Sequence, residues 1–279
     1  MGLAEAVVYG LLQGLTEFLP ISSTAHIRIA PALMGWQDPG AGFTAVIQLG
    51  TVLAVLIYFA KDLANAIVGW AKSLAGKHRD TVDARMGWAI FYGTIPIVVF
   101  GVLGQDAIKG SLRSLWVVAG SLIFMGILMA VAESVAKKSR PIESVKAKDG
   151  WIVGLWQAVA LIPGMSRSGS SITGALFSGF DRQTAARFSF LLSVPSILAA
   201  GVKELYDERD HLLNGDMLAP TVVATLISFA VGYASIAFLM KFLQRNGILP
   251  FVAYRIALGL ILIALLATGT LDPMAGITR

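Results

Sequence analysis

The chain has no cysteine. That excludes disulfides and thiolate metal centres, and it leaves the redox compartment unreadable. Charge is scarce too: Asp, Glu, Lys and Arg make up 14% of the 279 residues, where soluble domains carry about a quarter. A soluble enzyme with a membrane anchor is therefore excluded. No basic segment precedes the first apolar run, so the start predicts no cleaved signal peptide. No Gly-Lys-Ser/Thr follows the glycine- and serine-rich stretch around 164–171, so this is not a Walker loop. Short-period repeats are absent, which excludes a solenoid. The net charge of +5 sits in loops and speaks of topology, with no nucleic-acid partner.

What is present is apolar: 56% hydrophobic residues and a mean hydropathy of +0.73. The composition predicts an all-α integral membrane protein. The first apolar stretch, 7–19, is interrupted by Glu17 and ended by Pro20. It is too short for a span of about 20 residues. We read it as a re-entrant helix–loop–helix, with Ser22, Ser23 and Thr24 opening the returning half-helix. Charge-free spans follow at 41–60, 86–105 and 114–132, joined by loops at 61–85 and 106–113. A charged linker, 137–149, then divides the chain into halves, 1–136 and 150–279. The second half repeats the pattern. Gly154 and Gln157 echo Gly10 and Gln13, and Ser166 echoes Ser22, all at an offset of 144. The stretch 193–199 resembles 48–54 in the first half, and two more apolar spans follow at 217–240 and 246–271, the latter broken only by Arg255. The run 203–211 reads as a solvated external loop.

Each half thus contains one re-entrant pair and three transmembrane helices. An odd number of spans inverts the second half relative to the first. Charge agrees: 14 Lys and Arg fall on one side and five on the other, with Arg28, Arg167 and Arg255 embedded. The basic side is cytoplasmic by the positive-inside rule. Both termini then lie outside, and inverted repeats with broken helices meet near the midplane.

Two polar clusters interrupt this apolar chain. In the second, Arg167 lies between two serines inside an apolar segment, suited to grip phosphate with a two-pronged fork. Ser166, Ser168, Ser170 and Ser171, with Gly164 and Gly169, supply hydroxyl and backbone donors at a half-helix start. In the first, Gln13 and Glu17 are four apart and share a helix face. They either ligate one divalent cation through oxygen, or Glu17 orients His26. Ser22 and Thr24 complete the substrate-binding set. His26 lies three residues from Ser23, within reach on a helical turn, and imidazole suits proton transfer near neutral pH. Ser23 with His26 and Glu17 follows the logic of a nucleophile, base and orienting group. His78 and His211 lie in charged loops and carry no such expectation. A transporter or lipid flippase is the competing class. It would need Arg167 but not Ser23 with His26.

At these clusters the chain resembles the undecaprenyl-diphosphate phosphatase family of the bacitracin-resistance type. That family carries a (Glu/Gln)-x-x-x-Glu motif, matched by Gln13 and Glu17. A Pro-x-Ser-Ser-Thr-Gly-His segment is matched by Pro20, Ser22, Ser23, Thr24 and His26. A Pro-Gly-x-Ser-Arg-Ser-Gly motif is matched by Pro163, Gly164, Ser166, Arg167, Ser168 and Gly169. Gln13 takes a place often held by glutamate, Ala25 replaces the usual glycine, and Ser171 stands where threonine is common. The resemblance implies hydrolysis of a C55 polyprenyl diphosphate to the monophosphate at the outer face of the bacterial cytoplasmic membrane. It also implies a divalent cation, Mg or Ca, and a homodimer.

Overall fold

The computed structural model describes residues 1–76 and 80–277, the side chain of Lys109 aside. Lys77, His78, Arg79 and Arg279 lie outside the described residues. Among the described residues the structure is all-helical, with one isolated bridge between Arg140 and Phe180.

The chain opens with two short helices, α1 (Leu3–Phe18) and α2 (Ser23–Met34). At 16 and 12 residues they reach roughly 24 and 18 Å, less than a bilayer core. Pro20 sets the break: the preceding Leu19 is driven to extended backbone, φ −64° and ψ 133°. Long helix α3 (Gly40–Tyr58) follows, then α4 (Ala60–Leu74), α5 (Val82–Leu103), the short α6 (Gln105–Lys109) and α7 (Leu115–Val135). Beyond the linker lie α8 (Ala147–Val159) and α9 (Arg167–Phe177), again short. The chain ends with α10 (Arg182–Asp207), the single turn α11 (Arg209–Leu212), α12 (Leu218–Phe242) and α13 (Leu249–Ala267). Six of these helices are long and apolar enough to cross a membrane: α3, α5, α7, α10, α12 and α13.

Three expected loops are largely helical. The segment 106–113 holds most of α6 and a 3-10 turn, Ser111–Arg113, where the absence of a long apolar run suggests no helix. The segment 61–85 holds most of α4 and the start of α5. Leu63, Ala66, Gly69 and Ser73 bury one face of α4, while its other face is charged or exposed. A helix with this period is amphipathic, and its average hydropathy conceals it. The run 203–211 is solvated but is the end of α10 and the turn α11, braced by a Lys203–Asp207 pair at 2.5 Å. The charged linker is folded against the second half. Arg140 donates to both Asp149 carboxylate oxygens, at 3.0 and 2.7 Å, and lies over the Phe180 ring at 4.1 Å.

Helix α1 packs along α12, and α8 packs along α5; α3 meets α10, and α7 meets α13. Small residues make the first seam close. A Cβ on Gly10 would lie 2.7 Å from the Ala224 carbonyl oxygen. The largest core cluster joins residues of α3, α5, α7, α9, α10 and α12. Against this core the α1–α2 and α8–α9 loops are held.

Candidate active site

The two loops are built alike. Ser22 caps α2 by accepting from the Ala25 amide at 3.3 Å, and Ser166 caps α9 by accepting from the Gly169 amide at 3.0 Å. Both caps sit at positive φ, 79° and 71°, a region uncommon for residues other than glycine. Such backbone costs on the order of 1–3 kcal/mol and persists where the surroundings hold it. The first amides of each half-helix, those of Ser23, Thr24, Arg167 and Ser168, have no acceptor within their own helix. Gly164 has φ +96°, and a Cβ there would lie 2.7 Å from the Val118 carbonyl oxygen on α7.

Three contacts staple one loop to the other. Ser168 Oγ donates to the carbonyls of Glu17 and Leu19, at 2.9 and 3.2 Å. The Gly164 amide donates to Thr24 Oγ1 at 3.3 Å. The third is Arg255, fully buried in α13. Its guanidinium donates to Pro20 O at 3.0 Å in the first loop, and to Gly164 O and Met165 O at 2.8 and 3.1 Å in the second. It also reaches Leu122 O at 3.4 Å. Gly169 leaves room for it: a Cβ there would lie 2.9 Å from Arg255 Nη1.

Around these staples Gln13, Glu17, Ser23 and Arg167 converge. Glu17 Oε2 accepts from Ser23 Oγ at 2.6 Å and from Gln13 Nε2 at 2.8 Å. Its other oxygen stands 3.7 Å from Arg167 Nη1. Arg167 Nη2 donates to Gln48 Oε1 at 3.2 Å. The Nε and Nη1 atoms of Arg167 are buried with no hydrogen-bond partner among the described residues. Unpaired buried guanidinium N–H groups cost free energy unless acceptors reach them, and the Nε and Nη1 groups, on different sides of the guanidinium, leave two donors for phosphate oxygens. Beside it stands a hydroxyl already hydrogen-bonded to a carboxylate.

His26 is arranged differently from the expectation. Its Nδ1 lies 2.7 Å from Ser22 O and its Nε2 2.6 Å from the Tyr254 hydroxyl, with the two rings stacked. A carbonyl only accepts, so Nδ1 carries the proton, and neutral Nε2 accepts from Tyr254. The hydroxyl of Ser23 bonds Glu17, and both His26 nitrogens bond elsewhere. The carboxylate likewise bonds Ser23 and does not orient His26.

The other hydroxyls of the two loops, Ser170 excepted, are engaged within the protein. Ser22 shares a bond with Thr24 at 3.1 Å, and Ser166 with Ser168 at 3.1 Å. Ser171 donates to Arg167 O at 2.6 Å and also meets Ser189. Ser170 Oγ is buried without a partner among the described residues. Sequence alone gave no role to Gln48, Tyr254 or Arg255. A glutamine in a charge-free span and an arginine within another were the available signals.

A divalent cation can be tested against the donor set. Gln13 Oε1 is buried and accepts no hydrogen bond among the described residues. No three His, Cys, Asp or Glu side chains cluster as metal ligands among the described residues. One carboxylate with one amide oxygen fits a cation held jointly with substrate phosphates.

Comparison with known proteins bears on this site. Residues 6–261 match the family model for bacitracin resistance protein BacA. The chain is 51% identical to the undecaprenyl-diphosphatase of Prosthecochloris aestuarii, over 98% of this chain and all of that protein. It is 52% identical to that of Chlorobium limicola, over 97% and 99%, and 49% identical to that of Myxococcus xanthus, over 99% and 93%. With near-complete coverage at about half identity, on a multi-pass helical architecture, the chain belongs to the BacA bacitracin resistance family.

Proposed function

We propose that this chain hydrolyses undecaprenyl diphosphate to the monophosphate and phosphate, recycling the lipid carrier of cell-wall synthesis. The relatives' name and the resemblance in both motifs support the substrate. The observation that carries the chemistry is the pair of buried Arg167 donors, Nε and Nη1, without a hydrogen-bond partner among the described residues, beside Ser23 hydrogen-bonded to Glu17.

In this mechanism Arg167 and the half-helix amides of α2 and α9 hold the diphosphate. Ser23 Oγ attacks the terminal phosphorus and passes its proton to Glu17. The bridging P–O bond breaks, and the lipid monophosphate leaves. Water then attacks the phosphoserine, releasing inorganic phosphate and restoring Ser23. His26, oriented by Ser22 and Tyr254, serves as a second proton station. Gln48 orients Arg167. Phosphoryl transfer is mostly positioning and charge stabilisation, and base assistance contributes roughly 10²- to 10⁴-fold. A divalent cation, Mg or Ca, when bound, would be held by Glu17 and Gln13 and would neutralise phosphate charge.

The site faces outward from the bacterial cytoplasmic membrane in this reading, supported by the 14 to five asymmetry of Lys and Arg. The pairings α1 with α12 and α8 with α5 support two inverted repeats. Such an exchange of partners is what related halves would give. The homodimer rests on the family resemblance. Phosphate release from C55 diphosphate by the purified protein in detergent tests the function. Substrate left intact by wild-type protein, with transport of the same lipid across vesicles, would favour the flippase instead.

A further inference from the structure

Two cavities adjoin beside the site. The first, about 160 Å³, is walled by Thr24 and Gln48, the residues bonded to the Gly164 amide and to Arg167. Its other polar side chains are Thr44, which donates to Gly40 O, and Arg28 and Arg113, both held by Asp38. The second, about 320 Å³, has no titratable side chain in its wall. It runs between the C-terminal end of α5, α6 and the C-terminal half of α8. Ile108 and Leu161 line both cavities, so the two meet across these side chains. At the far end Phe100 and Leu155 are each 52% exposed, on helices that face the lipid.

Polarity therefore falls from the first cavity, with guanidinium, amide and hydroxyl groups in its wall, to the second, lined by hydrocarbon alone, and then to the exposed face. A ligand matching that order carries a phosphate at one end and an apolar chain at the other. We infer that the groove between α5, α6 and α8 holds the first isoprene units of the polyprenyl chain, with the diphosphate at Arg167. This rests on the proposed phosphatase activity and adds where its lipid lies. The larger apolar groove on α4, α5 and α10, about 400 Å³, is not the tail site. It shares no residue with the phosphate-side cavity, so a chain in it would have no connection to Arg167. Small residues keep the tail groove open. Gly104 and Ala107 line it where α5 passes into α6.

The test compares farnesyl diphosphate, which has a tail to bind, with isopentenyl diphosphate, which is too short to fill the groove. Ala107→Trp should lower the ratio of kcat/KM for the farnesyl over the isopentenyl compound roughly tenfold, the effect of losing one buried apolar side chain's contact. An unchanged ratio with both compounds hydrolysed would overturn the groove. Wild-type protein supplies an independent readout. A prenyl diphosphate bearing a benzophenone near its first isoprene unit should crosslink within 100–112 and 155–162. Adducts confined to the α4–α5–α10 groove would overturn the assignment even if Ala107→Trp fails to fold. Release of phosphate from neither compound would instead fail the phosphatase reading and the groove with it.

Discussion

Replacing Arg255 by methionine should disable the enzyme without removing any group assigned to phosphate. Three of its acceptors, Pro20 O, Gly164 O and Met165 O, lie 2.8–3.1 Å away on the two loops that carry the catalytic side chains. A hydrogen bond to a charged donor contributes about 1.5–3 kcal/mol, so this brace is worth roughly 5–9 kcal/mol before its own desolvation. Burying the guanidinium offsets several kcal/mol of that, leaving a net loss on the order of 3 kcal/mol when it is removed. The larger consequence is geometric. Ser23 follows one braced loop and Arg167 the other, and a shift of about 1 Å between reacting groups costs roughly 10²-fold in rate. The expected result for Arg255→Met is a monodisperse protein of lowered melting temperature whose kcat falls about 10²-fold. Arg255→Lys should recover little, because one ammonium cannot span carbonyls on both loops. The assay is phosphate release under saturating farnesyl diphosphate, beside thermal unfolding in detergent. Wild-type kcat in folded Arg255→Met would refute the brace.

Three further outcomes follow from the same geometry. Arg167→Lys should lose more than about 10²-fold in kcat while keeping the charge, since one ammonium cannot place donors where the planar Nε and Nη1 groups do; near-normal turnover would remove the clamp. Gln13→Ala should be milder than Glu17→Ala, because Glu17 accepts from Ser23 while the Gln13 amide can neither supply charge nor take up a proton; equal losses by steady-state kinetics would give Gln13 a further role. Single cysteines at Lys146 and His211 should label from opposite faces of sealed vesicles, cytoplasmic for Lys146 and external for His211; labelling of both from one face would break the inverted-repeat topology.

Much of the fold was legible because the bilayer imposes strong rules. Pro20 marked the end of α1, charge-free runs located α3, α5, α7 and α12, and a run broken only by Arg255 located α13, each to within a few residues. Helix α4 escaped because its apolar residues recur at helical spacing among Lys61, Asp62 and Lys72, so window averages see only charge. The site was legible in its residue types but not in its bonds. Ser23 and His26 sit three apart on α2, which made their pairing plausible; yet Glu17 on α1 reaches the hydroxyl first, and Tyr254, 228 residues along, takes the imidazole. Long-range partners of this kind follow from how α13 packs on α7. No local spacing reports that packing. The same holds for Arg255, whose sequence neighbours give no hint that it spans both loops.

The central claim is that Ser23, deprotonated toward Glu17 beside Arg167, carries the phosphoryl group. Acid-quenched single turnovers with β-³²P-labelled farnesyl diphosphate test it most directly, with the labelled peptide mapped by mass spectrometry. The account predicts a transient phosphoserine at Ser23, formed at a rate no slower than phosphate release and absent in Ser23→Ala, which should be inactive. Turnover by Ser23→Ala at a substantial fraction of the wild-type rate, with no labelled protein at any quench time, would contradict it and give the attack to His26 or to water.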